Sequence, residues 1–160
     1  MIRMSTMSHA DCQTDDLWVD NRVAEALATS VALENSQVTI DTFTDIDRGY
    51  FRRNGVLDRL SNPRLGFHVV QNLYSLLNSN STPISIKHVF QSEHTRSLVL
   101  KRGSRNLILV MPSKTGVAFD VSGDVGPEYS ESISSATDLK TGNITANIPF
   151  RLEAPILLIE

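Results

Sequence analysis

One segment of the sequence combines acidic, basic and aromatic side chains in the way that binding loops do. Phe43 is followed closely by Asp45, Asp47, Tyr50 and Arg52, with two glycines in the same stretch. The segment is predicted to be a long connection, where functional loops are usually found. Two carboxylates that act on one bond must flank it, whereas side chains two residues apart on an extended chain point the same way. Asp45 and Asp47 are therefore predicted to be a loop pair and not a catalytic dyad.

Other catalytic or metal-binding patterns are absent from the sequence. Ser92 and His94 could form a nucleophile and base, but no G-x-S-x-G motif is present to support a serine nucleophile. The four histidines show neither HExxH nor His-x-His spacing, and the single cysteine, Cys12, makes no internal disulfide or multi-cysteine zinc site. We predict no catalytic residue, no metal site and no cofactor. A small independent hydrolase that uses Ser92 and His94, or the aspartate pair, is kept as a third alternative.

The bulk properties exclude several classes of partner. The 160-residue chain is 41% hydrophobic and 21% charged, with a formal net charge of -3, and it has no long run of Lys or Arg. This is an ordinary composition for a folded domain and lacks the basic footprint of a nucleic-acid binder. No apolar stretch is long enough for a signal peptide or for a span of about 20 residues. We predict no nucleic-acid or membrane partner, and a cytoplasmic location by default.

The first half of the chain is patterned as helix, strand, loop and helix. Residues 1–16 are polar and aperiodic and are predicted to be a flexible tail. An apolar stripe at helical spacing begins at Leu17, and dense β-branched residues predict a strand over 37–44. A capping residue before Pro63 predicts a second helix that starts there, and a polar linker closes it. These elements occupy residues 17–79.

The second half of the chain is patterned as short strands. Strands are predicted at 84–91, 97–100, 106–111, 117–121, 144–152 and 156–159. A short turn at 101–105 joins two of them into a hairpin. Strands of this length, separated by Gly, Pro, Ser and Asn, predict an antiparallel β-sandwich over residues 83–160.

A run within the first half resembles a known enzyme class. Gly55-Val56-Leu57-Asp58 follows the aromatic and acidic segment, and Asn62-Pro63-Arg64 follows in turn. This order is similar to the end of the eighth strand in retaining (β/α)8-barrel glycoside hydrolases, where a Pro-Arg or Pro-Lys pair leads into the last barrel helix. Residues 138–158 are similar to the closing strands of the β domains of such enzymes. The resemblance implies an α+β fold, with an N-terminal helix-strand-helix barrel remnant followed by an antiparallel β-sandwich.

The same resemblance implies a chain that is inactive alone. A whole barrel needs about 250 residues, whereas residues 17–79 suffice for one strand and two helices. The family's catalytic glutamates lie at the ends of the fourth and seventh strands and have no counterpart here. Glu25 and Glu34 lie on or beside the first predicted helix, and we predict that both are solvated. The chain is thus predicted to be the C-terminal part of a glycoside hydrolase, without activity alone.

The resemblance also assigns roles to the loop residues and implies partners. Phe43 would stack on a sugar ring, while Asp45, Asp47, Tyr50 and Arg52 would bond its hydroxyls. The alternatives are that Phe43 is a core residue and that the charged residues form a loop salt-bridge network. Because a lone barrel strand leaves helix stripes exposed, the remnant is expected to fold back on the sandwich, to form a homo-oligomer, or to bind an upstream barrel chain. The second functional hypothesis is a non-catalytic β-sandwich module that binds a glycan or a protein.

Overall fold

Two long helices pack on one face of a six-stranded antiparallel sheet, so the α+β class predicted from the sequence is confirmed. The computed structural model describes residues 2–4, 16–33, 36–40, 43–44, 55–79 and 81–160. The helices are α1 (Asp16–Ala32), α2 (Leu65–Leu77), α3 (Val121–Asp124) and α4 (Pro127–Ser130). The strands are β1 (Ile2–Met4), β2 (Val38–Ile40), β3 (Ile84–Gln91), β4 (Thr95–Arg102), β5 (Arg105–Pro112), β6 (Val117–Ala118), β7 (Ser135–Asp138), β8 (Ile144–Thr145), β9 (Arg151–Leu152) and β10 (Ile156–Ile159).

The amino-terminal elements form a small parallel unit. β1 pairs with β2 in parallel, with Ile2 opposite Val38, and α1 connects the two strands. A crossover helix is the usual connection between parallel strands because their ends lie at opposite edges. The predicted tail over residues 1–16 is therefore wrong at residues 2–4, which form β1; three residues are too few for a period of two to be visible in the sequence. The predicted strand 37–44 is observed as β2 at Val38–Ile40.

The large sheet has the strand order β3-β4-β5-β10-β7-β8. β4 and β5 form the predicted hairpin, in which Arg102 pairs with Arg105 across a two-residue turn. Gly103, at the first turn position, has φ of +61°, a left-handed backbone that glycine adopts at low cost. The central strands are apolar on both faces, as expected for strands covered on both sides.

The first core lies between the two long helices and the sheet. Val69, Leu73 and Leu77 of α2 are fully buried in one cluster with Leu100 of β4 and Leu109 of β5. Each fully buried aliphatic side chain stabilises the folded state by roughly 1.5–3 kcal/mol. The helices therefore fold back on the sheet, which was one of the expected outcomes, and α2 contacts the sheet through Val69, Leu73 and Leu77.

The second core lies on the opposite face of the same strands. Ile108 and Val110 of β5 and Leu158 of β10 point to this side, in alternation with the residues of the first core. The two-stranded sheet of β6 and β9 and the short helices α3 and α4 supply the covering residues, among them Leu152 and Tyr129. This arrangement of a large and a small sheet makes the second half sandwich-like.

Three strand predictions differ from the structure. The predicted strand 144–152 is two strands in different sheets, since β8 pairs with β7 and β9 pairs with β6. Pro149 lies between them, and proline cannot donate a ladder hydrogen bond. Residue 121 begins α3 instead of ending a strand, because the Asp120 carboxylate accepts the Gly123 N–H at 2.9 Å and caps the helix. β7 was not predicted.

None of the helices within the described ranges is long and apolar enough to cross a bilayer.

Candidate functional site

The candidate site begins where the chain leaves β2 and returns to pair with the segment beyond it. The Leu57 N–H donates a hydrogen bond to the Phe43 carbonyl at 2.9 Å, and Thr44 forms an isolated parallel bridge with Leu57. Leu57 also bridges Pro63 in antiparallel fashion. The run Gly55 to Asp58 is thus paired with residues 43–44, which follow β2 in the sequence.

Phe43 is the one predicted binding residue that the structure describes. Its side chain is half-exposed, with 50% of its surface accessible to solvent, and it belongs to neither hydrophobic core. The alternative that Phe43 is a core residue is therefore wrong. An exposed aromatic ring beside a backbone-paired segment is available for contact with a ligand.

The other four predicted binding residues lie outside the described residues. Asp45, Asp47, Tyr50 and Arg52 belong to the connection between Thr44 and Gly55. Their assignment as sugar-binding groups stays a prediction, and so does the alternative of a loop salt-bridge network.

The Asp58 carboxylate organises the turn that follows. One of its oxygens accepts the backbone N–H groups of Leu60 and Asn62, each at 2.8 Å, and the other accepts the Asn62 side-chain amide at 2.8 Å. Ser61 within this turn has φ of +65°, a left-handed conformation that is uncommon for residues other than glycine. The hydrogen bond from the Asn62 side chain, followed by that from its backbone, lowers the pKa of Asp58 below its ordinary value. The carboxylate therefore has a structural task and stays ionised at neutral pH.

The same hydrogen bonds correct the predicted start of the second helix. α2 begins at Leu65, with Arg64 as the residue before it and no side-chain cap. Asn62, predicted to cap the helix, bonds to Asp58 instead, and Pro63 bridges Leu57. The capping pattern was misread because the competing partner, Asp58, precedes it in the same turn.

Buried and ionic contacts anchor this turn to the helices. Val56 is 1% exposed within the first core, and its carbonyl accepts the Arg64 N–H at 2.9 Å. The Arg64 guanidinium pairs with Asp16 at the start of α1, at 3.4 Å. A Cβ on Gly66 would lie 3.3 Å from both Asp20 Oδ1 and Val56, so the close approach of α2 to α1 requires a small residue there. The segment that pairs with Phe43 is therefore anchored to both long helices.

The remaining chemical candidates from the sequence have structural partners. Glu25 is not simply solvated, because its Oε1 accepts hydrogen bonds from Arg96 Nε at 2.9 Å and Nη2 at 2.7 Å. The Ser92 hydroxyl donates to Asp124 at 2.7 Å and accepts the N–H groups of His94 and Thr95. Ser92 therefore organises the turn between β3 and β4, and its hydroxyl is not paired with the imidazole of His94. The link from Ser92 to Asp124 was missed, because no local pattern pairs residues so far apart in sequence.

Metal coordination finds no support in the part of the chain that the structure describes. No group of three or more His, Cys, Asp or Glu side chains there could hold a metal ion.

Comparison with known proteins includes two structural similarities of low identity, described below. No protein-family model matches the sequence, and no curated protein matches it either. The crystal structure of AmyP in complex with maltose is 15% identical, with 94% of this chain and 36% of that chain covered, at a TM-score of 0.47. A noncanonic maltogenic alpha-amylase, AmyB from Thermotoga neapolitana, is 11% identical, with 99% of this chain and 41% of that chain covered, at a TM-score of 0.44. The chain thus spans well under half the length of either solved chain, and TM-scores below 0.5 do not establish a common fold.

Proposed function

We propose that this chain is the C-terminal part of a retaining (β/α)8-barrel glycoside hydrolase and that it has no hydrolytic activity alone. In this proposal β1, α1, β2 and α2 are the last two strand-helix units of the barrel, and residues 83–160 are the appended β domain. The observation that carries the proposal is the parallel pairing of β1 with β2 through α1. Successive parallel strands joined by helices are the repeating unit of such barrels.

The segment after β2 adds support from the residues themselves. Gly55 to Asp58 and Asn62 to Arg64 carry the resemblance to the eighth strand, and the two runs are joined by the hydrogen bonds from Asp58 N–H to Asn62 and from Arg64 N–H to Val56, both 2.9 Å. Loops that follow the strands at their carboxyl ends build the active sites of these barrels. Phe43 stands at that end of β2, so we propose that its exposed ring stacks on a sugar. Asp45, Asp47, Tyr50 and Arg52, on the same connection, are proposed to bond the sugar hydroxyls.

The carboxylates of the barrel-like part support the proposed lack of activity. A retaining mechanism needs two carboxyl groups about 5–5.5 Å apart that flank the scissile bond. Of those described before the linker, Asp58 is engaged in its turn, Glu25 binds Arg96 and Asp16 pairs with Arg64. Asp20 is buried between α1 and α2, where its Oδ1 approaches Gly66. Each of these four carboxylates has a structural position.

The proposed partners follow from the open edges of the small parallel sheet. β1 and β2 pair only with each other among the described strands, and in a closed barrel every strand has two neighbours. We propose that an upstream chain, or an upstream part of the same protein, supplies those neighbours and the rest of the barrel. A carbohydrate is the proposed ligand of the completed site. Maltose, the sugar bound in the AmyP complex, belongs in the first set of test ligands.

Calorimetric titration with oligosaccharides tests the proposed role of Phe43. The full chain is titrated with a panel of mono- and oligosaccharides that includes maltose, and the Phe43→Ala variant is compared with it. Loss of the ring is expected to weaken binding by at least about tenfold, as for other aromatic contacts worth more than 1 kcal/mol. Phe150→Ala is the matched control, because Phe150 is 73% exposed and lies outside the segment after β2. Equal affinities for the wild type and Phe43→Ala would contradict the proposed stacking.

A non-catalytic binding module is the second candidate function. It is favoured by the second core, in which β6, β9, α3 and α4 cover the sheet without any contribution from α1 or α2. The two candidates differ in the neighbouring reading frame. An upstream frame that encodes the remaining strand-helix units favours the split hydrolase, and an unrelated frame favours the module.

A further inference from the structure

A groove with an aromatic wall and a polar rim lies between α1 and the ends of β3, β4 and β5. Its cavity volume is about 170 Å³, and its lining includes Trp18, Arg22, Glu25, Gln91, Arg96 and Pro112. Pockets for drug-sized ligands begin at about 300 Å³. The groove is therefore matched to a ligand of roughly one ring.

The polar rim of the groove is fixed in place and keeps an acceptor free. Arg96 donates its Nε and Nη2 to the single oxygen Oε1 of Glu25, and its Nη1 lies 3.4 Å from Gln91 Oε1. The second oxygen of Glu25 accepts no hydrogen bond from the described residues. The Glu25 and Arg96 side chains are 31% and 43% exposed, so a ligand can reach both. Donors and an acceptor held side by side suit a ligand with neighbouring hydroxyl groups.

The aromatic wall is the Trp18 ring, which is only partly buried against the first core. Arg22 lies over this ring at 5.3 Å from its centre and is itself exposed. A cation–π contact at an exposed site is weak, and Arg22 has no acidic partner in the described ranges, so a ligand can displace it. Asn21 donates its side-chain amide to the Pro112 carbonyl at 2.7 Å. This bond ties α1 to the end of β5, the two elements that line this side of the groove.

We propose that this groove binds a single sugar ring, with its apolar face on Trp18 and its hydroxyls on Glu25 and Arg96. A pyranose has a face of C–H groups and a rim of hydroxyls, which is the chemistry that an indole beside a carboxylate–guanidinium pair recognises. The site is separate from the Phe43 segment, and it is built by α1 and the sheet. The proposal therefore does not depend on the barrel ancestry of the chain.

The groove carries its own spectroscopic reporter, because Trp18 is the one tryptophan in the sequence. The full chain is titrated with glucose, galactose, mannose, maltose and cellobiose while the tryptophan emission is recorded. Stacking excludes water from the indole, so we expect a saturable blue shift with at least one of these sugars. An emission spectrum unchanged by every sugar overturns the proposal. A response to acetate or phosphate but to no sugar also overturns it and assigns the groove to an anion.

Variants separate this groove from the Phe43 segment by calorimetry. Trp18→Ala is expected to weaken sugar binding by at least about tenfold, and Trp18→Phe, which preserves the packing of α1, by a smaller factor. Glu25→Gln leaves the aromatic wall intact and is expected to weaken binding by about tenfold through the lost charged acceptor. Tyr74→Ala is the control, because Tyr74 is an exposed aromatic residue on α2. Binding that survives Trp18→Ala and Glu25→Gln but is lost in Phe43→Ala overturns the proposal of a groove site and supports the Phe43 segment. Binding that is lost in Trp18→Ala and weakened in Glu25→Gln, but kept in Phe43→Ala, supports the groove.

Discussion

The two faces of the six-stranded sheet are covered by elements from different parts of the sequence. One face is covered by α1 and α2, which precede every strand of that sheet in sequence. The other is covered by β6, β9, α3 and α4, all of which lie between β5 and β10 and so belong to the sheet's own connections. The elements on the first face belong to a parallel strand-helix unit whose two strands have three residues each. Only three residue pairs therefore join these strands to each other. This difference indicates that α1 and α2 need the sheet in order to stay folded. The elements on the opposite face are connections between strands of the same sheet.

The largest expected effect on stability comes from truncating one buried leucine in either of the two cores. Leu73 is fully buried in the first core and Leu158 is fully buried in the second. Leu73→Ala and Leu158→Ala are each expected to lower the free energy of unfolding by about 2–5 kcal/mol. Because both cores share β4, β5 and β10, each variant should still unfold in a single transition by circular dichroism and fluorescence in urea.

A neighbouring exposed residue provides the control for the core variants. Tyr74 is 55% exposed on α2, and Tyr74→Ala should change the free energy of unfolding by no more than about 0.5 kcal/mol. If Leu73→Ala instead lost its helical signal in a separate, earlier transition, the helices would be an independent unit and the comparison of the two faces would fail.

A smaller effect on stability is expected from the hydrogen bonds that Arg102 makes between the sheet and α2. The Arg102 guanidinium on β4 donates to the carbonyls of Leu76 and Leu77 at the end of α2, where a cation also complements the helix dipole. Arg102→Met removes these charged hydrogen bonds and is expected to cost about 1.5–3 kcal/mol of unfolding free energy. Arg105→Met, at an exposed position of the same hairpin, should be close to neutral. Equal urea midpoints for the two variants would show that Arg102 does not hold the helix.

The smallest effect is expected at Asp58, whose turn carries the segment after β2. Its pKa lies below the ordinary value of 3.8 in the folded chain, so its contribution to stability is complete above that value and is lost as the pH falls through the lowered pKa. The difference in Tm between the wild type and Asp58→Ala should therefore shrink as the pH is lowered from 5 toward 2. Asp58→Asn keeps an acceptor oxygen without the charge. The contribution of the asparagine to stability should therefore not vary with pH over this range. A difference that is constant with pH would contradict the role of the carboxylate.

Local patterns were sufficient for the elements with strong periodicity. The stripe of α2 and the hairpin of β4 and β5 are long enough for the period of apolar residues to be read directly. β1 and the break between β8 and β9 were not foreseen, because strands of two or three residues form only where a distant partner is present. The start of α2 was misplaced for a similar reason, since Asn62 is bonded to Asp58 and not to the helix.

The candidate site was predicted through residue types and not through geometry. The resemblance implied that Phe43 stacks on a sugar ring, which stays a prediction; the structure excludes only the alternative of a core residue, because the side chain is 50% exposed. The groove at Trp18 could not be read from the sequence, because Glu25 and Arg96 meet only when α1 packs across β4. Long-range side-chain pairs of this kind carry no local signature.

The most direct test of the proposed lack of catalytic carboxylates is a hydrolysis assay of the purified full chain. A panel of aryl α- and β-glycosides is incubated with the wild type and with Asp45→Asn and Asp47→Asn, and the released phenol is measured. We expect no release above the uncatalysed rate for any of the three proteins. Turnover by the wild type that disappears in Asp45→Asn or Asp47→Asn would overturn the proposal, because it would assign catalysis to the loop pair.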